Sequence, residues 1–128
     1  MRFGVCLPNY GDEISIDGIK KIAKEAEELG YESIWSTDHI LMSKNSNTPY
    51  ENMYESIVIL AYAASITDRI KLGISSLVLG MRNPIIVAKQ LATIDNISKG
   101  RIILATGAGW NSREFENLGA DFRRRGKI

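Results

Sequence analysis

The side chains best suited to chemistry occur in four short polar or glycine-rich segments, at residues 8–11, 38–39, 80–83 and 107–111. His39 is the only histidine of the chain, and Asp38 stands directly before it, where a carboxylate could influence the protonation of the ring. An imidazole can donate a hydrogen bond to a bound ring or exchange a proton with it near neutral pH. The pair is therefore a candidate for catalysis, and the alternative is a surface or helix-capping histidine.

Two further motifs could contact a ligand. Gly107, Ala108 and Gly109 could bring backbone N–H groups close to a phosphate or a ring, although a tight turn without a ligand explains them too. They do not complete a dinucleotide-binding fingerprint, because the third glycine would fall at Ser112. Ser75 and Ser76 place two hydroxyls in an apolar segment, which indicates either a bulge that faces a polar ligand or an internally satisfied core pair.

Other residues indicate packing rather than chemistry. Cys6 is predicted to be a small core residue, and no second cysteine or histidine gives metal-ligand spacing, so no metal site is expected. Trp35 and Trp110 are predicted to pack, although Trp110 lies in a candidate ligand segment. The basic run 123–125 is typical of a solvated tail.

These segments follow elements that alternate between strand and helix periodicity. The patterns predict strands over 3–7, 31–37, 69–79 and 101–106, and helices over 15–29, 54–67 and 84–99 with a fourth from about residue 112. A polar connection of about 14 residues that includes Asn45 separates the second strand from the second helix; loops of this length are often functional. Such an order requires parallel strands with right-handed crossovers, because strands and helices alternate throughout.

Two α/β architectures satisfy this order, an open doubly wound sheet and the first half of a (β/α)₈ TIM barrel. A barrel of about 250 residues uses roughly 31 per strand–helix pair, so the chain holds about four of eight pairs. In both cases the loops after the strands surround the ligand. The first helix has a buried stripe that ends at Leu29, and the second is apolar on most sides and must be covered on most sides.

Composition limits the possible partners. The chain has 128 residues, 45% hydrophobic and 24% charged, with a formal net charge of +1, which predicts one soluble domain over 1–128. This balance does not indicate nucleic acid or an anionic membrane as a partner. No apolar stretch approaches the about 20 residues of a membrane span, no signal peptide is recognised, and the single cysteine indicates a reducing compartment, so a cytoplasmic protein is expected.

The combination of motifs resembles the luciferase-like oxidoreductases, a family that includes bacterial luciferase, flavin-dependent monooxygenases and deazaflavin-dependent reductases and dehydrogenases. The matching segments cover most of the chain: 3–4, 7–8, 33–35, 38–39, 70–73, 78–79, 82–84, 92–101, 107–110, 114–115 and 118–119. The resemblance implies parallel βαβ units that form the N-terminal half of a bacterial luciferase-like TIM barrel. It implies hydride transfer or monooxygenation of a small organic substrate with a deazaflavin (F-420) or FMN.

The resemblance also implies roles for residues. Asp38 and His39 would lie beside the reactive ring, as in the deazaflavin-dependent branch, which favours a deazaflavin over FMN. Ser75 and Ser76 match a bulge where a non-proline cis peptide supports the ring, and residues Gly107, Ala108, Gly109 and Trp110 match a loop that borders it.

The chain departs from the family in two respects. In several deazaflavin dehydrogenases a glutamate acts as an acid at about the position that Trp110 occupies here. The tryptophan disfavours glutamate-assisted dehydrogenation by this chain and leaves Glu114 as a substitute acid. The strands whose loops bind the phosphate are absent, so weak cofactor retention and self-association are expected. The alternatives are a noncatalytic half-barrel that self-associates and, less favoured, a stand-alone nucleotide-binding module.

Overall fold

Strands and helices alternate along the chain, as the periodicity predicts. The computed structural model describes residues 1–44 and 46–127, so Asn45 of the predicted long connection lies outside the described residues. The strands are β1 (Gly4–Cys6), β2 (Ser33–Ser36), β3 (Lys71–Leu77) and β4 (Ile102–Thr106), and the helices are α1 (Ile16–Glu28), α2 (Ser56–Ile66), α3 (Pro84–Ser98) and α4 (Ser112–Asn117). Short 3₁₀ segments occur at Pro49–Glu51, Leu79–Met81 and Phe122–Arg124.

The sheet is parallel, and its strands follow one another in sequence order, β1-β2-β3-β4. A doubly wound sheet would reverse direction at an internal strand, where its helices change face. The sequential order therefore belongs to the barrel arrangement rather than to the open sheet.

Local capping explains where the helices begin. The Ser15 hydroxyl accepts a hydrogen bond from the Gly18 N–H at 3.1 Å, and Asn83 Oδ1 accepts from Ile85 N at 3.0 Å, directly before Pro84. Such side chains satisfy N–H groups that have no partner inside the helix. These caps fix the points at which the chain leaves each strand-end loop.

The core lies between the sheet and the helices. The predicted stripe of α1 is buried at Ile19, Ala23 and Ala26, but Leu29 is 76% exposed. Leu29 is the C-cap residue, where the chain already turns towards β2, so helical spacing no longer determines where its side chain points. The structure covers most of α2 between its neighbouring helices and the sheet, although Val58 is 64% exposed.

The opposite face of the sheet carries Trp35, whose indole extends over two neighbouring strands. A Cβ at Gly4 would stand 2.6 Å from Trp35 Nε1, and a Cβ at Gly73 would overlap the six-membered ring. Cys6 is the register partner of Trp35 and shares this face, and it is exposed. The prediction that Cys6 belongs to the core is therefore wrong, because the described core occupies only the helix side of the sheet.

Candidate active site

A cavity of about 440 Å³ opens at the carboxyl ends of the strands. All eight predicted ligand contacts lie in its wall: Asp38, His39, Ser75, Ser76, Gly107, Ala108, Gly109 and Trp110. Sequence reasoning missed the wall residues Thr37, Tyr50 and Val78, included Met81 only within the candidate segment 80–83, and had assigned Glu114 only as a substitute acid. A larger open region, of about 600 Å³, lies at the other end of the strands around residues 1–4 and 29–32 and contains none of the eight.

Asn9 supports the cavity wall through hydrogen bonds to the backbone. This residue is fully buried, and its side-chain amide donates to Thr37 O at 2.9 Å and to Tyr54 O at 3.2 Å, while its Oδ1 accepts from Thr37 N at 2.9 Å. The loop after β1 is thereby joined to the end of β2 and to the start of the α2 region. Residues 8–11 do not line the cavity, so this predicted segment positions its neighbours rather than contacting a ligand there.

Asp38 joins three elements through an enclosed carboxylate. Its Oδ1 accepts from Ser56 Oγ at 2.7 Å and from Arg82 Nη2 at 2.6 Å, and its Oδ2 accepts from Val78 N at 3.0 Å. Arg82 also lies 2.7 Å from Glu55 Oε1. Burial by itself lowers the pKa of Arg82, but the two carboxylates outweigh burial and raise it, so the guanidinium stays charged. The Asp38 carboxylate therefore ties β2, α2 and the β3 loop together.

The His39 ring pairs with Glu114 and not with Asp38. His39 Nδ1 lies 2.8 Å from Glu114 Oε2, and Glu114 Oε1 accepts from the backbone N–H groups of Ile40 at 2.6 Å and Leu41 at 3.1 Å. Both side chains are buried, at 7% and 2% residue exposure for His39 and Glu114. The acidic partner that sequence reasoning expected beside His39 is therefore supplied by α4.

The ionisation of Glu114 follows from these contacts. Burial by itself raises the pKa of Glu114, but the hydrogen bonds from His39 and from the two backbone N–H groups outweigh it, and the pKa lies below its ordinary value. Glu114 is thus a carboxylate at neutral pH. Both of its oxygens already accept hydrogen bonds, which does not suit the role of acid that the sequence left open for it.

Aromatic rings surround the imidazole. Tyr50 lies with its ring centroid 4.8 Å from that of His39, and Tyr10 lies 4.9 Å from Tyr50. Trp110 meets the edge of His39 at 5.6 Å and is 61% exposed, so it borders the cavity instead of packing in the core. Its edge-on arrangement is one that aromatic pairs prefer. Tyr50 gave no sequence signal, because it lies in the long non-periodic connection.

The predicted bulge is present in β3. The Ser75–Ser76 peptide is cis, and the pairing between β3 and β4 shifts register between Ile74 and Leu77. Ser75 is exposed and Ser76 half-buried, and within residues 1–44 and 46–127 neither hydroxyl has a hydrogen-bond partner. The interpretation as an internally satisfied core pair is therefore wrong, and the serines face the cavity.

The β4 loop is supported by a second, smaller core. Gly109 has φ +80°, and a Cβ there would stand 2.7 Å from Phe115 and 2.8 Å from Val78. Phe115 stacks edge-on against Phe122, and Arg125 lies over the Phe122 ring while donating from Nε to Gly109 O at 3.2 Å. The prediction of a solvated basic tail is therefore wrong for Arg125, whose contacts hold this loop.

The residues present fit a flat heteroaromatic ring. A Cβ at Gly107 would overlap Ser76 Oγ, so the absence of a side chain at residue 107 leaves room for the Ser76 hydroxyl in the cavity wall. Unpartnered serine hydroxyls, the histidine and aromatic walls offer both polar and stacking contacts to such a ring. None of the described wall residues is Lys or Arg, so this part of the chain offers a phosphate no charged partner. Among the described residues, no cluster of three His, Cys, Asp or Glu suits a metal.

The family follows from comparison with known proteins. The model of the luciferase-like monooxygenases matches residues 1–128. The chain belongs to this family. The structural neighbours of the chain are luciferase-like enzymes with a parallel α/β barrel. The predicted family and fold class are therefore both confirmed.

Curated relatives in the family differ in chemistry. The 5,10-methylenetetrahydromethanopterin reductase of Methanopyrus kandleri is 36% identical over 104 residues, which are 81% of this chain and 26% of that protein. The pyrimidine monooxygenase RutA of a Bradyrhizobium species is 35% identical over 112 residues, 88% of this chain and 30% of that protein. An FMNH(2)-dependent dimethylsulfone monooxygenase of Pseudomonas putida is 33% identical over 104 residues, which are 81% of this chain and 27% of that protein. The chain thus spans less than a third of the length of these relatives.

Solved structures lead to the same conclusion. The coenzyme F420-dependent tetrahydromethanopterin reductase from Methanopyrus kandleri superposes with a TM-score of 0.71 at 34% identity, covering 94% of this chain and 30% of that one. A monooxygenase from Streptomyces bottropensis superposes with a TM-score of 0.80 at 25% identity, covering 99% and 39%. The family therefore has both F420- and FMN-dependent members. Across residues 1–44 and 46–127, no helix is long and apolar enough to cross a membrane.

Proposed function

We propose that this chain supplies the ring-binding part of an oxidoreductase that transfers a hydride or oxygenates a small organic substrate with a deazaflavin or FMN. One observation carries the proposal: the His39–Glu114 pair, the Ser75–Ser76 bulge and the side-chain-free Gly107 line a single cavity. Family membership makes a flavin-type ring the natural ligand of such a cavity. A cytoplasmic location fits the exposed free Cys6, which a reducing compartment keeps unpaired.

Within this proposal, the bound cofactor supplies the redox chemistry, and the protein supplies orientation and proton handling. His39 exchanges a proton with the ligand or forms a hydrogen bond to it, because among the described wall residues it is the one titratable ring that is paired with a carboxylate. Asp38 positions the surrounding loops through Ser56, Val78 and Arg82.

A deazaflavin is the preferred cofactor, and FMN is the alternative. The preference rests on the Asp38–His39 motif and on the similarity to the F420-dependent reductase, at 34% identity over 94% of this chain. The similarity to pyrimidine and dimethylsulfone monooxygenases supports the alternative.

Fluorescence titration of the purified chain with F420 and with FMN tests the proposal. Binding by at least one cofactor is expected, with F420 the tighter, and Gly107→Val should abolish it because the new side chain overlaps Ser76 Oγ. Gly126→Val is the matched control, since a Cβ there meets nothing within 4 Å. Absence of binding of either cofactor at high micromolar concentration would refute the activity of this chain, and equal loss in both variants would refute the assigned cavity.

A noncatalytic, self-associating half-barrel is a second candidate, favoured by exposed apolar side chains. Helix α2 carries no charged residue, and Val58, Ile85, Ile86 and Ile97 are 55% to 77% exposed. In the described sheet β1 and β4 each pair on one side only. Such surfaces favour a second copy of the chain as partner. Light scattering after size exclusion distinguishes the outcomes: a multiple of 14.2 kDa supports self-association, and a monomer refutes it.

A further inference from the structure

The contact between His39 and Glu114 restricts where the imidazole can carry its proton. Glu114 Oε1 is committed to two backbone N–H donors, those of Ile40 and Leu41. Its Oε2 is left to face His39 Nδ1 at 2.8 Å. An ionised carboxylate has no proton to donate, so this short contact is a hydrogen bond only if Nδ1 carries the hydrogen.

The second ring nitrogen is then the one available to a ligand. Nε2 has no hydrogen-bond partner among residues 1–44 and 46–127, and it is not one of the side-chain atoms that are sealed from solvent without a partner. His39 itself lines the cavity. A neutral imidazole has one protonated and one unprotonated nitrogen, so protonation at Nδ1 leaves Nε2 as an acceptor.

The surroundings of His39 contain few competing charges. Glu114 reaches it from α4, and the Asp38 carboxylate, adjacent in the chain, is paired with Arg82. Tyr50 and Trp110 contact the ring as aromatic neighbours. The carboxylate of Glu114 is therefore the group that determines the tautomer.

We propose that Glu114 is a positioning residue that holds neutral His39 as its Nδ1–H tautomer, so that Nε2 accepts a proton from a ligand bearing an O–H or N–H group. In that step the ligand O–H or N–H bond breaks, an Nε2–H bond forms, and the ligand retains the electron pair. The resulting imidazolium keeps its Nδ1–H on the Glu114 carboxylate, which balances the new charge. The inference deepens the proposed function, because it specifies what the ligand must present to His39.

Nitrogen-15 NMR tests the tautomer without any cofactor, because His39 is the only histidine and gives an unambiguous signal. The chain is labelled with ¹⁵N-histidine and examined at about pH 9, well above the ordinary pKa of histidine. We expect Nδ1 to show the chemical shift and couplings of a protonated nitrogen and Nε2 those of an unprotonated one. A dominant Nε2–H form, or fast exchange between equal populations, would overturn the proposal.

The variant Glu114→Gln is expected to invert the tautomer. The two backbone N–H groups hold the Gln carbonyl at the Oε1 position, so its NH₂ group faces His39 Nδ1 and must find an acceptor there. The ring proton then moves to Nε2, a change that a purely structural role of Glu114 would not produce. Glu116→Gln, on the exposed side of the same helix, is the matched control and should keep the Nδ1–H form. Inversion in both variants, or in neither folded variant, contradicts the assignment, and the wild-type measurement stands even if Glu114→Gln does not fold.

Small aromatic probes test the ligand requirement. Phenol at millimolar concentration should shift His39 Nε2 in the wild type, whereas anisole, which lacks the O–H, should not. Absence of a phenol effect, or equal effects of both probes, would overturn the requirement for a donor. Failure of the proposed function would appear separately, as absence of F420 and FMN binding with the Nδ1–H tautomer intact.

Discussion

Replacing Gly109 by alanine should destabilise the fold and the cavity together. Two costs arise from the structure. The residue has φ +80°, a conformation that costs an L-residue about 1–2 kcal/mol. The new methyl group would also stand 2.7 Å from Phe115 and 2.8 Å from Val78, and both side chains are buried, so overpacking adds about 1–3 kcal/mol. The expected loss in free energy of unfolding is about 2–5 kcal/mol, a large fraction of the total for a small domain.

Gly119→Ala separates these two costs. Gly119 also has a left-handed backbone, with φ +68°, but a Cβ there meets nothing within 4 Å. This control should therefore lose only the backbone contribution of about 1–2 kcal/mol. The difference between the two variants isolates the steric contribution of Phe115 and Val78 at Gly109.

Urea denaturation followed by far-ultraviolet circular dichroism measures both variants beside the wild type. We expect Gly109→Ala to have the lower midpoint of the two, with an unchanged m-value, because the surface exposed on unfolding is nearly the same in both variants. Equal midpoints in the two alanine variants would refute the reasoning, since they would mean that Phe115 and Val78 do not pack against Gly109.

Three further outcomes are expected. Gly107→Ala should weaken cofactor binding at least tenfold while changing the free energy of unfolding by less than about 1 kcal/mol, because the overlapping Ser76 hydroxyl can rotate and the Ser76 Cβ, at 3.2 Å from the new methyl group, needs only a small shift. A titration and a urea melt on the same sample check this, and unchanged affinity contradicts it. Burial by itself raises the pKa of Glu27, but hydrogen bonds from the backbone N–H groups of residues 68–70 outweigh burial and lower the pKa. The stability that the Glu27 carboxylate contributes is therefore present above its ordinary pKa and is lost as the pH falls through the lowered value. Glu27→Gln should therefore lower the Tm at pH 7 and flatten its decline in acid, and parallel Tm–pH curves would disprove this. Asn9→Asp places a carboxylate against two backbone carbonyls. It should reduce the free energy of unfolding by about 2 kcal/mol or more at neutral pH, with partial recovery in acid. Urea melts at several pH values check this, and a loss that does not depend on pH contradicts the explanation.

Local signals predicted the elements well because their causes are local. Asn83 followed by Pro84 predicts a capped helix start, and the cap is present with Asn83 Oδ1 bound to two backbone N–H groups. The cavity was predictable for a related reason: parallel strands bring their carboxyl ends to one edge, so loops distant in sequence must meet there. The two serines in an apolar segment already indicated a bulge as one alternative, whereas the cis peptide came from the family resemblance, since nothing in the strand pattern specifies it.

What the sequence could not provide is the partner of each polar group. His39 and Glu114 are 75 positions apart, and no spacing rule connects a strand end with the first turn of α4. Asp38 looked like the partner of His39 because it is adjacent, yet adjacent residues at a strand end point to different sides and reach different elements. Cys6 is apolar enough for a core, but whether its side of β1 is covered depends on what packs against the sheet.

The position of Trp35 gives the molecule an optical reporter that is separate from the cavity. Its indole lies across Gly4 and Gly73 on the sheet face away from the helices, whereas Trp110 borders the cavity next to His39. Whatever covers that sheet face must change the polarity around Trp35, and a ligand in the cavity must change it around Trp110. A Trp110→Phe variant keeps only Trp35, so its emission would report whether something covers that face of the sheet. A Trp35→Phe variant keeps only Trp110, so its emission would report ligand entry into the cavity.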